Sequence, residues 1–110
     1  MATATKKIIL VIGEDLEEAR EKMEVIYEIV KRKNPNFCVL PEIISHQTTI
    51  ARCRNLAPIA IFITRRIIFK NGFKNITKEI LGACSQTAKV FLFDANGELN
   101  RIICEELLTK

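Results

Sequence analysis

Tryptophan is absent from this 110-residue chain, and tyrosine and histidine occur once each, beside three prolines and four glycines. A lone histidine excludes a histidine-rich metal cage. The four cysteines, Cys38, Cys53, Cys84 and Cys104, stand too far apart for the close C-x-x-C pairs of structural zinc sites. No apolar run reaches the roughly 20 residues that a membrane-spanning helix needs. Met1 to Lys7 leads into strand-like Ile8 to Ile12, where a signal peptide would have its apolar core and cleavage site. The expectation is an intracellular protein, cytoplasmic or nuclear, whose cysteines stay thiols. Glycine is missing where phosphate loops need it: the turn after the first strand reads Gly13, Glu14, Asp15, which sets acids where a diphosphate would lie. A Rossmann or P-loop site is excluded, and no glycine-flanked serine nucleophile occurs.

What is present suits one ordinary α/β domain over residues 1–110, with Met1 to Thr5 expected to be disordered. The chain is 48% hydrophobic and 27% charged, with no internal repeat, and at this length it can bury a core without a metal or disulfide staple. Lys7 to Ile12 reads as a strand buried on both faces. Leu16, Ala19, Met23, Ile26, Tyr27 and Val30 then repeat at helical spacing behind an Asp15 and Glu18 capping pair, and Asn34 with Pro35 stops the helix. Phe37 to Leu40 reads as a second strand that Pro41 ends or marks as an edge, with Ile43 and Ile44 as an extension. Ser45 caps a short helix from His46 to Leu56, its apolar face formed by Ile50, Cys53, Leu56 and Ala57.

Ile59 to Ile63 suits a central strand. Ile67 to Phe69 reads equally as a returning ribbon or the start of a helix. Thr77 is the expected cap of a helix from Lys78 to about Gln86 that turns Ile80, Leu81 and Cys84 inward. Val90 to Phe93 forms the last strand, and Asp94 to Gly97 a turn, before either a closing helix on Leu99, Ile102, Ile103 and Leu107 or a hairpin through Asn96 and Gly97. Strands alternating with helices predict a three-layer α/β sandwich around a mostly parallel sheet of four to five strands.

Charge supplies the functional clue. From Lys31 to Lys89 there are eleven cationic side chains and two acids, Glu42 and Glu79, whereas Glu14 to Glu28 holds seven acids and two bases. Acids at the start of a helix and Lys31, Arg32 and Lys33 at its end complement the helix dipole. Arg52, Arg54, Arg65, Arg66, Lys70, Lys74 and Lys78 remain beyond that explanation, and the first six form the candidate contact set for RNA or another polyanion. Phe69 and Phe73 are the candidate exposed stackers.

The acids after the first strand also invite comparison with response-regulator receiver domains. The third strand, however, ends in Thr64, Arg65 and Arg66, with no phosphoacceptor aspartate. The alternative reading is therefore a protein-interaction or regulatory domain of receiver-like shape, without phosphotransfer, self-associating through Ile67, Ile68 and Phe69. His46 beside Cys38 or Cys53 is the one arrangement that would suggest nucleophilic catalysis, but no orienting acid accompanies it in sequence. No catalytic residue, metal or cofactor is assigned.

Leu56 to Gly72 reads L-A-P-I-A-I-F-I-T-R-R-I-I-F-K-N-G. This stretch resembles the anticodon-binding domain of class II aminoacyl-tRNA synthetases, where a helix leads to a proline-led apolar strand, a polar break, a second extended piece and an N-G-like turn. Lys7 to Lys33 is similar to the opening strand and helix of that family, so the likeness spans Lys7 to about Phe93. Thr64 stands where the family commonly has glycine. The resemblance implies a binding module that contacts RNA without a catalytic domain of its own.

Overall fold

The computed structural model describes residues 7–33, 36–70, 72–84 and 88–107. Four strands, β1 (Lys7–Gly13), β2 (Phe37–Ile43), β3 (Ala60–Thr64) and β4 (Lys89–Phe93), form one sheet in the order β2-β1-β3-β4. Every pairing is parallel, with Val11 opposite both Pro41 and Phe62. Among the described residues five helices connect and cover them: α1 (Leu16–Val30), α2 (His46–Leu56), α3 (Arg65–Ile68), α4 (Ile76–Ala83) and α5 (Asn96–Ile102), the last continuing into a wider π-type turn over Ile103–Leu107. The expected three-layer α/β sandwich is present, with four strands.

Side-chain alternation along the strands divides the core in two. Ile9, Val11, Ala60, Phe62, Phe91 and Phe93 meet Ile26 and Val30 of α1 and Leu99 and Ile102 of α5 on one face. Leu10, Ile12, Ile61 and Ile63 meet Cys53 of α2, Ile67 of α3 and Ile76 and Ile80 of α4 on the other. Both faces of β1 and β3 are covered, which is why these strands read as unbroken apolar runs.

Asp15 caps α1 as expected, its Oδ1 accepting the Glu18 amide at 2.8 Å. The buried stripe of α1 is narrower than its periodicity predicts: Ala19, Ile26 and Val30 are buried, but Leu16 and Tyr27 are exposed. Tyr27 lies beneath the Lys31 ammonium, 5.5 Å from the ring centroid. Ser45 is the N-cap of α2, but its amide donates to Thr49 Oγ1 at 2.9 Å and its hydroxyl caps nothing. Ala57 is exposed and ends the helix in the left-handed conformation, φ 49°. The ribbon-or-helix ambiguity resolves as helix α3, with Ile67 buried, Ile68 half-buried and Phe69 exposed, so Ile67 offers no surface for self-association.

Helix α4 starts after Asn75, two residues before the predicted Thr77 cap, because Ile76 is drawn into the core; Leu81 faces outward. No hairpin forms at Asn96 and Gly97. They open α5, whose first turn is held by Glu98 Oε1 accepting the Asp94 and Ala95 amides at 2.6 and 3.2 Å. Helix α4 ends at Ala83 with Cys84 in extended backbone, short of the expected end near Gln86; the expected disorder of Met1 to Thr5, the helix stop at Asn34 and Pro35, and Gln86 itself lie outside the described residues.

Candidate functional site

Parallel strands place all four of their carboxyl ends on one edge of the sheet, and the charged turns collect there. After β1, the Glu14 amide donates to Glu18 Oε1 at 2.7 Å, folding the turn so that both carboxylates face α3. After β3, Arg65 and Arg66 leave on opposite sides of α3. Arg66 pairs with Glu18 and, at 3.3 Å, with Glu14; Lys70 reaches Glu14 at 2.6 Å. Arg65 pairs with Asp94 at 2.7 Å and with Glu98 at 3.7 Å, both beyond the end of β4. The Lys70 hydrogen bond, with Arg66 beside it, holds the Glu14 carboxyl below the usual carboxylate range. The Asp94 and Ala95 amides do the same for Glu98, and the hydrogen bond that Arg65 donates to Asp94 raises the Arg65 guanidinium further.

Of the six predicted cations, Arg65, Arg66 and Lys70 are thus brought together, and Lys70 and Lys74 line one cleft of about 560 Å³ with Ile68, Phe69 and Gly72. Arg52 and Arg54 stand apart. Helix α2 runs back across the sheet, so Arg54 lies about 12 Å along its axis from His46, towards the opposite edge. Arg52 is held by Glu42 of β2 at 3.0 Å, and burial of Glu42 pushes its carboxyl above the usual range. Arg54 and Lys74 have no ion-pair partner among the described residues.

Phe69 distinguishes the cleft. Its exposure is 85%, against 45 to 50% for the other large exposed apolar side chains, Leu16, Tyr27, Ile43 and Leu81. Phe73, the other predicted stacker, is taken up by His46, their rings stacked with centroids 4.8 Å apart. His46 Nδ1 faces Glu79 Oε1 at 3.2 Å and Nε2 faces the Gly72 carbonyl, so the histidine braces the loop behind Phe69. No cysteine is among these ring contacts. Burial pushes the Cys53 thiol up to about 12, which leaves it inert at neutral pH. Among the described residues no group of three acidic, histidine or cysteine side chains could hold a metal ion, and no helix is long and apolar enough to cross a membrane.

Sequence reasoning missed three participants. Asp94 and Glu98 neutralise Arg65, and Thr64 at the end of β3 is buried with a hydroxyl that makes no hydrogen bond among the described residues. Such a group costs about 1–3 kcal/mol if left dry. The available signal was positional: Thr64 and Asp94 terminate or follow adjacent strands, where open α/β sheets place ligands. No protein-family model, curated protein or solved structure matches the chain.

Proposed function

We propose that this protein is a noncatalytic, intracellular binding module that contacts single-stranded RNA, or a polyanion like it, through α3 and the loop that follows. The observation that carries the reading is Phe69, exposed in the lining of the same cleft as Lys70 and Lys74. A bare aromatic ring offers a stacking platform to any base, and flanking cations receive the backbone phosphates. The ion pairs of Arg66 and Lys70 leave both side chains more than half exposed, at 64% and 55%. Their carboxylate partners are largely buried, Glu14 at 23% exposure and Glu18 at 13%, so a phosphate would meet the exposed side of each cation without replacing the acid it is paired with. Arg54 adds long-range attraction, while Arg65, neutralised by Asp94 and Glu98, and Arg52, tied to a buried acid, contribute least.

Fluorescence anisotropy with a labelled single-stranded oligoribonucleotide across ionic strengths tests the reading. Phe69→Ala should weaken binding roughly 5- to 150-fold, the span of one lost base stack. Replacing Lys70 and Lys74 by alanine should flatten the salt dependence by about 0.7 per lost phosphate contact. RNA binding indifferent to all three changes, or none at low salt, refutes it.

A regulatory or protein-interaction role is the second reading. It is favoured by the strand order β2-β1-β3-β4, which doubly wound sheets of receiver type share as far as their fourth strand, and by Arg66 and Lys70 occupying the acids after β1 where a cation would otherwise sit. Self-association would then run through Ile68 and Phe69.

A further inference from the structure

Beside the switch point between β1 and β3, a crevice of about 410 Å³ opens outside the carboxyl ends of β3 and β4, lined by Glu18, Glu21, Lys22, Thr64, Arg65, Arg66 and Asp94. It is a different place from the Phe69 cleft, and its floor is unusual. Thr64 is 3% exposed and its Oγ1 has no hydrogen-bond partner among the described residues, although buried hydroxyls are nearly always paired. Above it, each arginine uses one nitrogen for its ion pairs, Nη1 of Arg65 and Nη2 of Arg66, and a guanidinium has further N–H donors on the same planar fork. The Lys22 ammonium is close by, hydrogen-bonded to Asn96 Oδ1 at 2.7 Å.

The acids of the crevice are not equivalent. Glu18 is fixed on both oxygens, by the Glu14 amide and by Arg66, and Glu21 stands exposed on α1. Asp94 is 63% exposed and engages Arg65 through one oxygen. An exposed carboxylate so placed is a weakly held internal substitute for an external oxyanion.

From this geometry we infer that the crevice is a binding site for a phosphate-sized oxyanion, which takes the place of Asp94 on Arg65 and accepts hydrogen bonds from Thr64, Arg66 and Lys22. The site shares Arg66 with the RNA reading but is separable from it, since it uses neither Phe69 nor Lys74. Phosphate of this class reaches a protein as the free ion or as the monoester of a small molecule, and the crevice has room for either.

The test is calorimetric and NMR titration of the whole chain with inorganic phosphate, then with a nucleoside 5′-monophosphate. Asp94→Asn should tighten phosphate binding roughly threefold, because the competing carboxylate is gone. Thr64→Val should weaken it roughly tenfold or more, Thr64→Ser should restore it, and Arg65→Gln should abolish it. The source of the oxyanion follows from whichever ligand binds tighter, and either preference supports the site. Phe69→Ala should leave phosphate affinity unchanged, which separates this result from that of the RNA assay. Absence of phosphate binding in both the wild type and Asp94→Asn, or equal affinities for the wild type and a folded Thr64→Val, overturns the inference.

Discussion

His46 faces an acceptor on each ring nitrogen, the Gly72 carbonyl on one side and the Glu79 carboxylate on the other. A neutral imidazole carries one N–H and can satisfy only one of them, whereas imidazolium satisfies both. The Gly72 carbonyl first, and Glu79 after it, therefore raise the pKa of His46 above its ordinary value. A folded-state pKa above the unfolded one means the contribution is complete below about pH 6.5 and fades as pH rises through the folded pKa. Urea denaturation at about pH 6 and about pH 8 should show the wild type losing stability over this rise, with His46→Gln losing less. Parallel losses in both proteins would sink the account. This side chain was legible only as a lone histidine near a helix start; its partners come from 26 and 33 residues away in sequence, and no local pattern announces them.

At the scale of elements, β1 and α1 meet more closely than any side chain permits. A Cβ on Gly13 would stand 2.6 Å from the Ala19 amide nitrogen and 2.9 Å from its Cα, both backbone atoms that cannot rotate away. Gly13→Ala should cost about 1–3 kcal/mol of stability, as overpacking does. Gly82→Ala in α4, where a Cβ meets nothing within 4 Å, should stabilise by up to about 1 kcal/mol. Urea midpoints moving the same way in both variants would refute this contrast. The long periodic elements β1, α1 and β3 were readable because their burial is periodic. Helix α3 was not, since Arg65 to Lys70 suits either period and tertiary pairing decides it: Ile67 enters the core while Arg66 and Lys70 reach the acids after β1. Asn96 and Gly97 left closing helix and hairpin both open for a related reason. Their intrinsic turn preference yields to Glu98, which gathers two amides and starts a helix over Phe91 and Phe93.

Across the whole molecule, the rings of Phe62, Phe91 and Phe93 join β3, β4 and the α1/α5 layer, with centroid separations of 5.0 and 6.4 Å from Phe62. Phe62→Ala should cost about 3–5 kcal/mol, a large share of the roughly 5–15 kcal/mol that holds a domain folded. A lowered urea midpoint with an unchanged slope is the expected result, and a midpoint within error of wild type would contradict this placement. The α/β class and layer count were legible from alternation alone. The charge reading was legible in amount and not in arrangement. Seven acids before eleven bases look like two opposed regions in sequence, yet the fold brings Glu14 and Glu18 onto Arg66 and Lys70 and carries Arg54 towards the far edge.

Pro41 has a consequence for the rims of the sheet. Lys7 donates to the Asn36 carbonyl and Ile44 to the Gly13 carbonyl, so the even-numbered residues of β2 bond inward to β1 and the odd-numbered ones point away from it. The missing proline amide hydrogen therefore falls on the outer rim, where an incoming strand would look for a rung. On the opposite side, Lys89 donates to Ile59, which turns the amides of Val90 and Leu92 outward along a strand with no proline. Strand exchange or fibrillar growth from this protein would have to begin at β4, because β2 is already blunted by its own sequence.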